Sequence, residues 1–172
     1  VPNMMIATVK QSPVFGSTVK SYNTKAAKAV KGVKAVVKIP NGVAVVADTY
    51  WQAKKGADAL NVRFAKTKQD QVDTASITKL LQQGLTEQTA AVAHHSGDVQ
   101  AALKTAKTTL QAEYSVPFLA HATMEPMNCT ASVRKDGCDV WVGTQAQEWV
   151  QQTAAKITGL PTPKIAVHTT YL

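Results

Sequence analysis

The side chains of this 172-residue chain that could do chemistry are four histidines, two cysteines and eleven carboxylates. Their spacing argues against most of it. His94 and His95 are adjacent, and neighbouring side chains on a helix or strand point apart, so one metal ion cannot readily use both. His121 and Glu125 would share a helix face, but Pro117 and Pro126 predict a loop there, which removes any HExxH-like zinc site. His168 falls within a strand-like run and reads as packed or surface-exposed rather than catalytic. Cys129 and Cys138 flank Asp136-Gly137, a strong hairpin turn signal. Taken as a two-residue turn, that pair sets Cys138 opposite Lys135 and Cys129 level with Thr144. The thiols are then not cross-strand partners, and a disulfide would need another register. Asn128-Cys129-Thr130 matches the glycosylation triplet at a length that arises by chance. There is no Gly-rich phosphate loop, nucleophile elbow or paired-carboxylate spacing. No catalytic or metal-ligating residue is assigned.

The elements that would position these residues read as α+β. Residues 4–9 form an apolar strand broken by Ser12-Pro13, and a second extended stretch lies between Gly16 and Tyr22. Asn23 or Thr24 caps a short helix over 25–30, ended by Gly32 in a left-handed cap. Strands follow at 33–39 and 43–47 around the turn Pro40-Asn41-Gly42. Thr49 or Asp48 caps a helix over 50–60, whose Trp51, Ala53, Ala57 and Leu60 make one stripe. A last strand at 61–64 closes this part. Next come a polar stretch at 66–71, a helix over 74–83 with Ile77, Leu80 and Leu81 facing inward, a linker from Gly84, and a helix over 99–106 capped by Asp98. Strands are expected at 109–116, 127–133 and 138–142. Thr144 caps a helix over 145–158 with Trp149, Val150, Ala154 and Ile157 on one face. Gly159 ends that helix, and a final strand runs over 165–172.

Charge divides the chain. Residues 1–68 hold twelve Lys and Arg against two acids, and the remainder holds seven against nine, which gives the net +8. A lysine-rich surface of this kind suits an acidic partner or a solvated face. The aromatics around it form no stacking motif of the RNA-binding type, which argues against nucleic acid. No apolar run reaches the ~18 residues that would span a bilayer. The start at Val1 and the stop inside a strand-like run read as a trimmed piece, with open edges through which copies could self-associate as a strand-paired dimer.

The segment His121-Ala-Thr-Met-Glu-Pro-Met-Asn-Cys-Thr-Ala131, after Glu113-Tyr-Ser-Val-Pro-Phe118, is the most informative. With 136–149, including Thr144-Gln145-Ala146-Gln147, it resembles the molybdopterin-binding large subunit of the xanthine dehydrogenase/aldehyde oxidase family, in the branch of the isoquinoline 1-oxidoreductase beta subunit. Ser12-Pro13, Gly32-Val33 and the run from Val43 to Trp51 are similar to that family's α/β hammerhead domain. The resemblance implies a hammerhead-like domain at 1–66, a helical connecting segment at 67–107, and the first part of a mixed α/β molybdopterin-binding domain at 108–172. It implies molybdenum with molybdopterin cytosine dinucleotide in the parent enzyme, which hydroxylates N-heterocycles or aldehydes with oxygen from water. It further implies an iron–sulfur small subunit and possible cytochrome c as partners, and the periplasm or the periplasmic membrane face as location. Glu125, Gln145 and Gln147 are the cofactor-binding candidates it implies. The family's GGGFG loop and late glutamate base would fall beyond Leu172, so the piece alone is expected to be inactive and without cofactor. The alternative reading is a standalone basic α+β module that binds an acidic partner.

Overall fold

The computed structural model describes residues 3–86 and 90–171. Helices and sheets are mixed, and the chain divides into two compact units, Val1–Gly97 and Asp98–Leu172.

Unit one is built on β1 (Ile6–Gln11), β3 (Val33–Ile39) and β4 (Gly42–Ala47), an antiparallel sheet ordered β1-β4-β3. A second pair joins β2 (Val19–Ser21) to β5 (Arg63–Phe64). Alternation along β4 turns Val43, Val45 and Ala47 inward, all fully buried, against α1 (Thr24–Lys28) and α2 (Tyr50–Ala59). Local chemistry fixes both helices. Asn23 Oδ1 accepts from the Ala26 N–H at 3.0 Å, and Thr49 with Gln52 forms a reciprocal capping box. Ala53, Ala57 and Leu60 are buried as the stripe predicts, but Trp51 is 59% exposed, with the Lys55 ammonium 5.3 Å from its ring centre. Counted at about 100° per residue, Ala53, Ala57 and Leu60 share one face of α2 and Trp51 falls on the opposite one, so helical spacing does not gather it into the stripe. Gly56 allows the closest approach of helix to sheet, since a Cβ there would meet Val45 and Val33 methyls at 2.8 and 2.9 Å. A 3-10 turn, Lys68–Gln71, and α3 (Thr74–Gly84) follow. Contrary to expectation, Leu80 and Leu81 are exposed, and only Ile77 is half-buried. An apolar stripe needs a facing surface, and the described residues offer α3 none.

Unit two begins with α4 (Val99–Thr105), capped by Asp98 Oδ1 on the Ala101 N–H. The strand expected at 109–116 does not form; residues 106–128 are irregular, with Leu110 96% and Tyr114 90% exposed. Alternation alone does not make a strand, because its backbone groups need a ladder, and no described strand pairs with this stretch. The sheet proper is β6 (Cys129–Val133), β7 (Cys138–Val142) and β8 (Ile165–Thr169), in that order. β6 and β7 are antiparallel, and β8 joins β7 in parallel after the crossover helix α5 (Gln147–Thr158). The hairpin turn has four residues rather than two, closed by Arg134 N–H donating to the Gly137 carbonyl at 2.8 Å. Val133 therefore faces Cys138, and Cys129 faces Val142. The two-residue shift leaves every side chain on its expected face. The cysteines are free. They stand four residues apart along the ladder, roughly 13 Å at ~3.3 Å per residue, beyond the ~7 Å reach of a disulfide.

The start of α5 also differs from expectation. Ala146 is the N-cap, and Thr144 acts two residues earlier, its Oγ1 accepting from the Ala146 N–H at 3.0 Å. Gln145 thus lies outside the helix. Gly159 ends it in the left-handed conformation, φ 73°. On the inward face Val150 and Ala154 pack on Cys138, Val140 and Ile165, whereas Trp149 and Ile157 stay 73% and 79% exposed.

Candidate functional site

Where β7 and β8 end side by side, the loop before β6 comes up against them. This is the carboxyl end of a parallel pair, the place where open α/β sheets hold ligands. The loop is fixed by its own polar groups. Asn128 Nδ2 donates to Glu125 Oε1 at 2.7 Å and to the Pro126 carbonyl at 3.0 Å, and Thr123 Oγ1 donates to the Glu125 carbonyl at 2.9 Å. Ala122 takes a positive φ of 45° to enter it. Glu125 to Asn128, Val142, Gly143, Thr170 and Tyr171 enclose a shallow cavity of about 30 Å3, room for one water.

Of the three sequence-derived candidates, only Glu125 lines that cavity. Gln147 sits beside it as a brace, its Nε2 donating to the Thr144 carbonyl and to Thr169 Oγ1, both at 3.3 Å, which ties the start of α5 to the end of β8. Its amide oxygen accepts no hydrogen bond among the described residues. Gln145 is exposed, and its amide makes no hydrogen bond among the described residues. Glu148 in the first turn of α5 accepts from Gln152 Nε2 at 2.9 Å and already complements the positive end of the helix. The available groups are thus carboxylate and amide acceptors with one free amide donor. They suit the hydrogen-bonding edge of a polar ring better than a phosphate, which would meet Glu125 and Glu148. The cavity cannot enclose a dinucleotide; these residues fit one edge of it.

Asn128, though within the segment of resemblance, shows its part only through its bond to Glu125. Thr170 and Tyr171 are not among the candidates, because their place depends on the parallel pairing of β7 with β8. The same pairing builds a polar group on the sheet face opposite α5. Asp139 binds His168 Nε2 through Oδ1 at 2.8 Å and Arg134 Nη2 through Oδ2 at 2.6 Å. The His168 ring stacks on Trp141 at 4.9 Å. The hydrogen bond from His168, then that from Arg134, holds the Asp139 carboxyl below the usual carboxylate range. Burial, reinforced by Cys138, pushes the Cys129 thiol up. His94, His95 and His121 are exposed, and no three His, Cys, Asp or Glu side chains converge among the described residues. No described helix is long and apolar enough to cross a membrane.

Comparison with known proteins gives this geometry a context. A family model for the molybdopterin cofactor-binding domain matches residues 81–172. The chain is 28% identical to the isoquinoline 1-oxidoreductase subunit beta of Brevundimonas diminuta and 26% identical to the membrane-bound aldehyde dehydrogenase [pyrroloquinoline-quinone] of Gluconacetobacter polyoxogenes. Each alignment covers 98% of the chain and 23% of the relative, so the chain spans about a quarter of the length of these proteins. Among solved structures it is similar to quinoline 2-oxidoreductase from Pseudomonas putida 86, with a TM-score of 0.68 and 14% identity over 98% of the chain and 27% of that structure. The Cu,Mo-CO dehydrogenase gives 0.64 and 19% over 97% and 27%. At these identities the structural likeness establishes the fold.

Proposed function

Since this chain belongs to the molybdopterin cofactor-binding domain family, we propose that it forms part of the large subunit of a molybdenum hydroxylase acting on N-heterocycles or aldehydes. Water would be the oxygen source, and electrons would leave through an iron–sulfur subunit, with cytochrome c as a possible acceptor. The observation that carries this reading is the family match across the whole of β6, β7, α5 and β8, with its loop and helix start gathered at the strand ends. The bound cofactor, taken to be the molybdopterin cytosine dinucleotide form, would supply the oxygen transfer and two-electron chemistry that side chains lack. The residues of this chain would orient it. Glu125 Oε2 and Gln147 Oε1 would accept from N–H groups on a ring edge, and Gln145 would donate. The Glu125–Asn128 hydrogen bond keeps the loop in place for that contact.

Enclosing the cofactor takes walls that the cavity at the strand ends does not supply, so the 172-residue chain alone is proposed to be inactive and to hold no cofactor. Its location is proposed to be the periplasm or the periplasmic membrane face, and one relative is named membrane-bound. The direct test is to assemble a large subunit containing this chain with its iron–sulfur subunit and oxidise an aldehyde or N-heterocycle in isotopically labelled water. Label in the product supports the reading. Product oxygen from dioxygen, or no turnover with molybdenum loaded, overturns it. For the chain alone, metal analysis should find no stoichiometric molybdenum.

A further inference from the structure

We propose that the open groove beside α5 is the seat of an apolar-striped helix supplied by the part of the large subunit that lies outside this chain, an inference that rests on the large-subunit reading above. α5 covers β7 and β8 but leaves the β6 side of the same sheet face bare. What remains is an apolar cavity of about 460 Å3, walled by Cys129, Val133 and Val140 from the sheet and by Trp149, Ala154 and Ile157 from the helix. An apolar cavity of ~150 Å3 accepts one benzene, so this groove takes about three bulky side chains, the number a helix presents over two turns. Its width suits a second helix packed beside α5 at an interaxial distance of ~8–10 Å.

The chemistry excludes the other occupants. A small-molecule site needs polar groups converging to orient its ligand. Of the three hydroxyls on its wall, Thr158 donates to the Ala154 carbonyl at 2.7 Å and Thr144 Oγ1 accepts from the Ala146 N–H, which leaves Thr153 alone and no converging set. A second copy would meet a strip roughly 18 Å by 10 Å, set by the length and width of one twelve-residue helix. That is far below the ~800 Å2 per partner of a stable interface. A segment joined to the same polypeptide bears no bimolecular entropy cost. About three quarters of the length of the curated relatives lies outside the region this chain matches, which is an ample source for it.

The thiol of Cys129 reports on the groove, since it lines the groove and is exposed in this chain. The experiment replaces the matching quarter of the Brevundimonas diminuta subunit with this chain and compares maleimide labelling of Cys129 in the chimera and in the 172-residue chain. Labelling in the chimera is expected to be on the order of tenfold slower or more. Ile157→Asp, which places a charge in the groove at a site exposed in the chain alone, should restore fast labelling in the chimera. Equal labelling in the two proteins overturns the proposal. If the chimera fails to fold, the isolated chain still decides against it should Cys129 be protected in a concentration-dependent way, because a second copy then fills the groove. Protection in a chimera that takes up no molybdenum supports the groove inference and sinks the cofactor reading. Fast labelling in a molybdenum-loaded chimera does the reverse.

Discussion

In unit one the apolar side chains of β4 and α2 close on each other: Leu60, Val43, Val45, Ala47 and Ala53 are all fully buried within 97 residues. Among the described residues of unit two, Cys138, Val140 and Ile165 are the buried apolar side chains, while Trp149, Ile157, Tyr114 and Leu110 stand in solvent. Both units put helices on one sheet face and draw on similar residue types. They differ in how many of their apolar faces meet another within the chain. Burial of an apolar side chain contributes about 1.5–3 kcal/mol, and the fixed backbone costs about 1–2 kcal/mol per residue. A unit with few closed contacts therefore sits near the limit of stability. Unit one reads as self-sufficient, and unit two as a part that gains its stability from further contacts.

The largest test removes a side chain from each core. Leu60→Ala should lower the unfolding free energy of unit one by about 3.5 kcal/mol, the middle of the range for buried leucine truncations. Trp51 fluorescence during urea denaturation would report it, with Trp141 and Trp149 reporting unit two. Ile165→Ala should cost less, because the core around it is thin and its neighbours Cys138 and Val140 already border the open groove. Equal losses, or both probes moving together in the Leu60 variant, would break the comparison. Next in size is Gly56→Ala. The helix gains about 1 kcal/mol from alanine, but the new methyl overlaps Val45 and Val33. Overpacking of ~1–3 kcal/mol should prevail, giving a net loss in unit one.

The same difference explains what the sequence discloses. Strands 33–39 and 138–142 are legible to the residue, as is the cap Asp98, because alternation and capping are properties of neighbours in sequence. The first two caps are narrowed to the neighbours Asn23 or Thr24 and Thr49 or Asp48, of which Asn23 and Thr49 serve. Unit one is mostly such local units folded onto one another. The failures fall where an outcome depends on a distant surface. The alternation at 109–116 lacks a ladder, the stripe of α3 lacks a facing surface, and the face of α5 is only half covered. At the candidate site the loop around Glu125 and the start of α5 stood out by resemblance. Thr170, Tyr171 and the Asp139 group did not, since only the β7–β8 register brings them in. Turn length at Asp136-Gly137 was missed for another reason. The dipeptide marks a turn without fixing how many residues flank it.

A smaller effect tests whether the core of unit one is as complete as its burial suggests. Thr8 lies opposite Val45 on the inward face of β1, and its Oγ1 is buried with no hydrogen-bond partner among the described residues. An unpaired buried hydroxyl costs about 1–3 kcal/mol, and valine has the same shape without it. Thr8→Val should raise stability by about 1 kcal/mol, read as a higher urea midpoint with unchanged slope. A loss of stability would mean that the hydroxyl has a partner, and that the core is wetter than its packing implies.

The smallest effect belongs to unit two and depends on pH. Asp139 joins the β6–β7 turn to β8 through Arg134 and His168, a tie across the sheet that partly substitutes for a thin core. In unit one Lys34 on β3 meets Asp48 after β4 at 3.0 Å, but both side chains are half exposed, and Lys54 with Asp58 lies within one helix. The carboxyl of Asp139 is held low in the folded state, first by His168 and then by Arg134. A carboxyl whose folded pKa is below its unfolded value of ~3.9 contributes its full stabilisation above that value. The contribution declines as pH falls from there through the folded pKa, where both states become protonated. Asp139→Asn should therefore destabilise unit two at neutral pH by an amount that fades below about pH 4. Asp58→Asn should change unit one little at any pH, as exposed helix pairs do. Paired acid titrations followed by Trp141 and Trp51 fluorescence would measure this. A pH-independent cost at Asp139, or an equal acid dependence at Asp58, would show that the charged tie does not compensate for the open face of unit two.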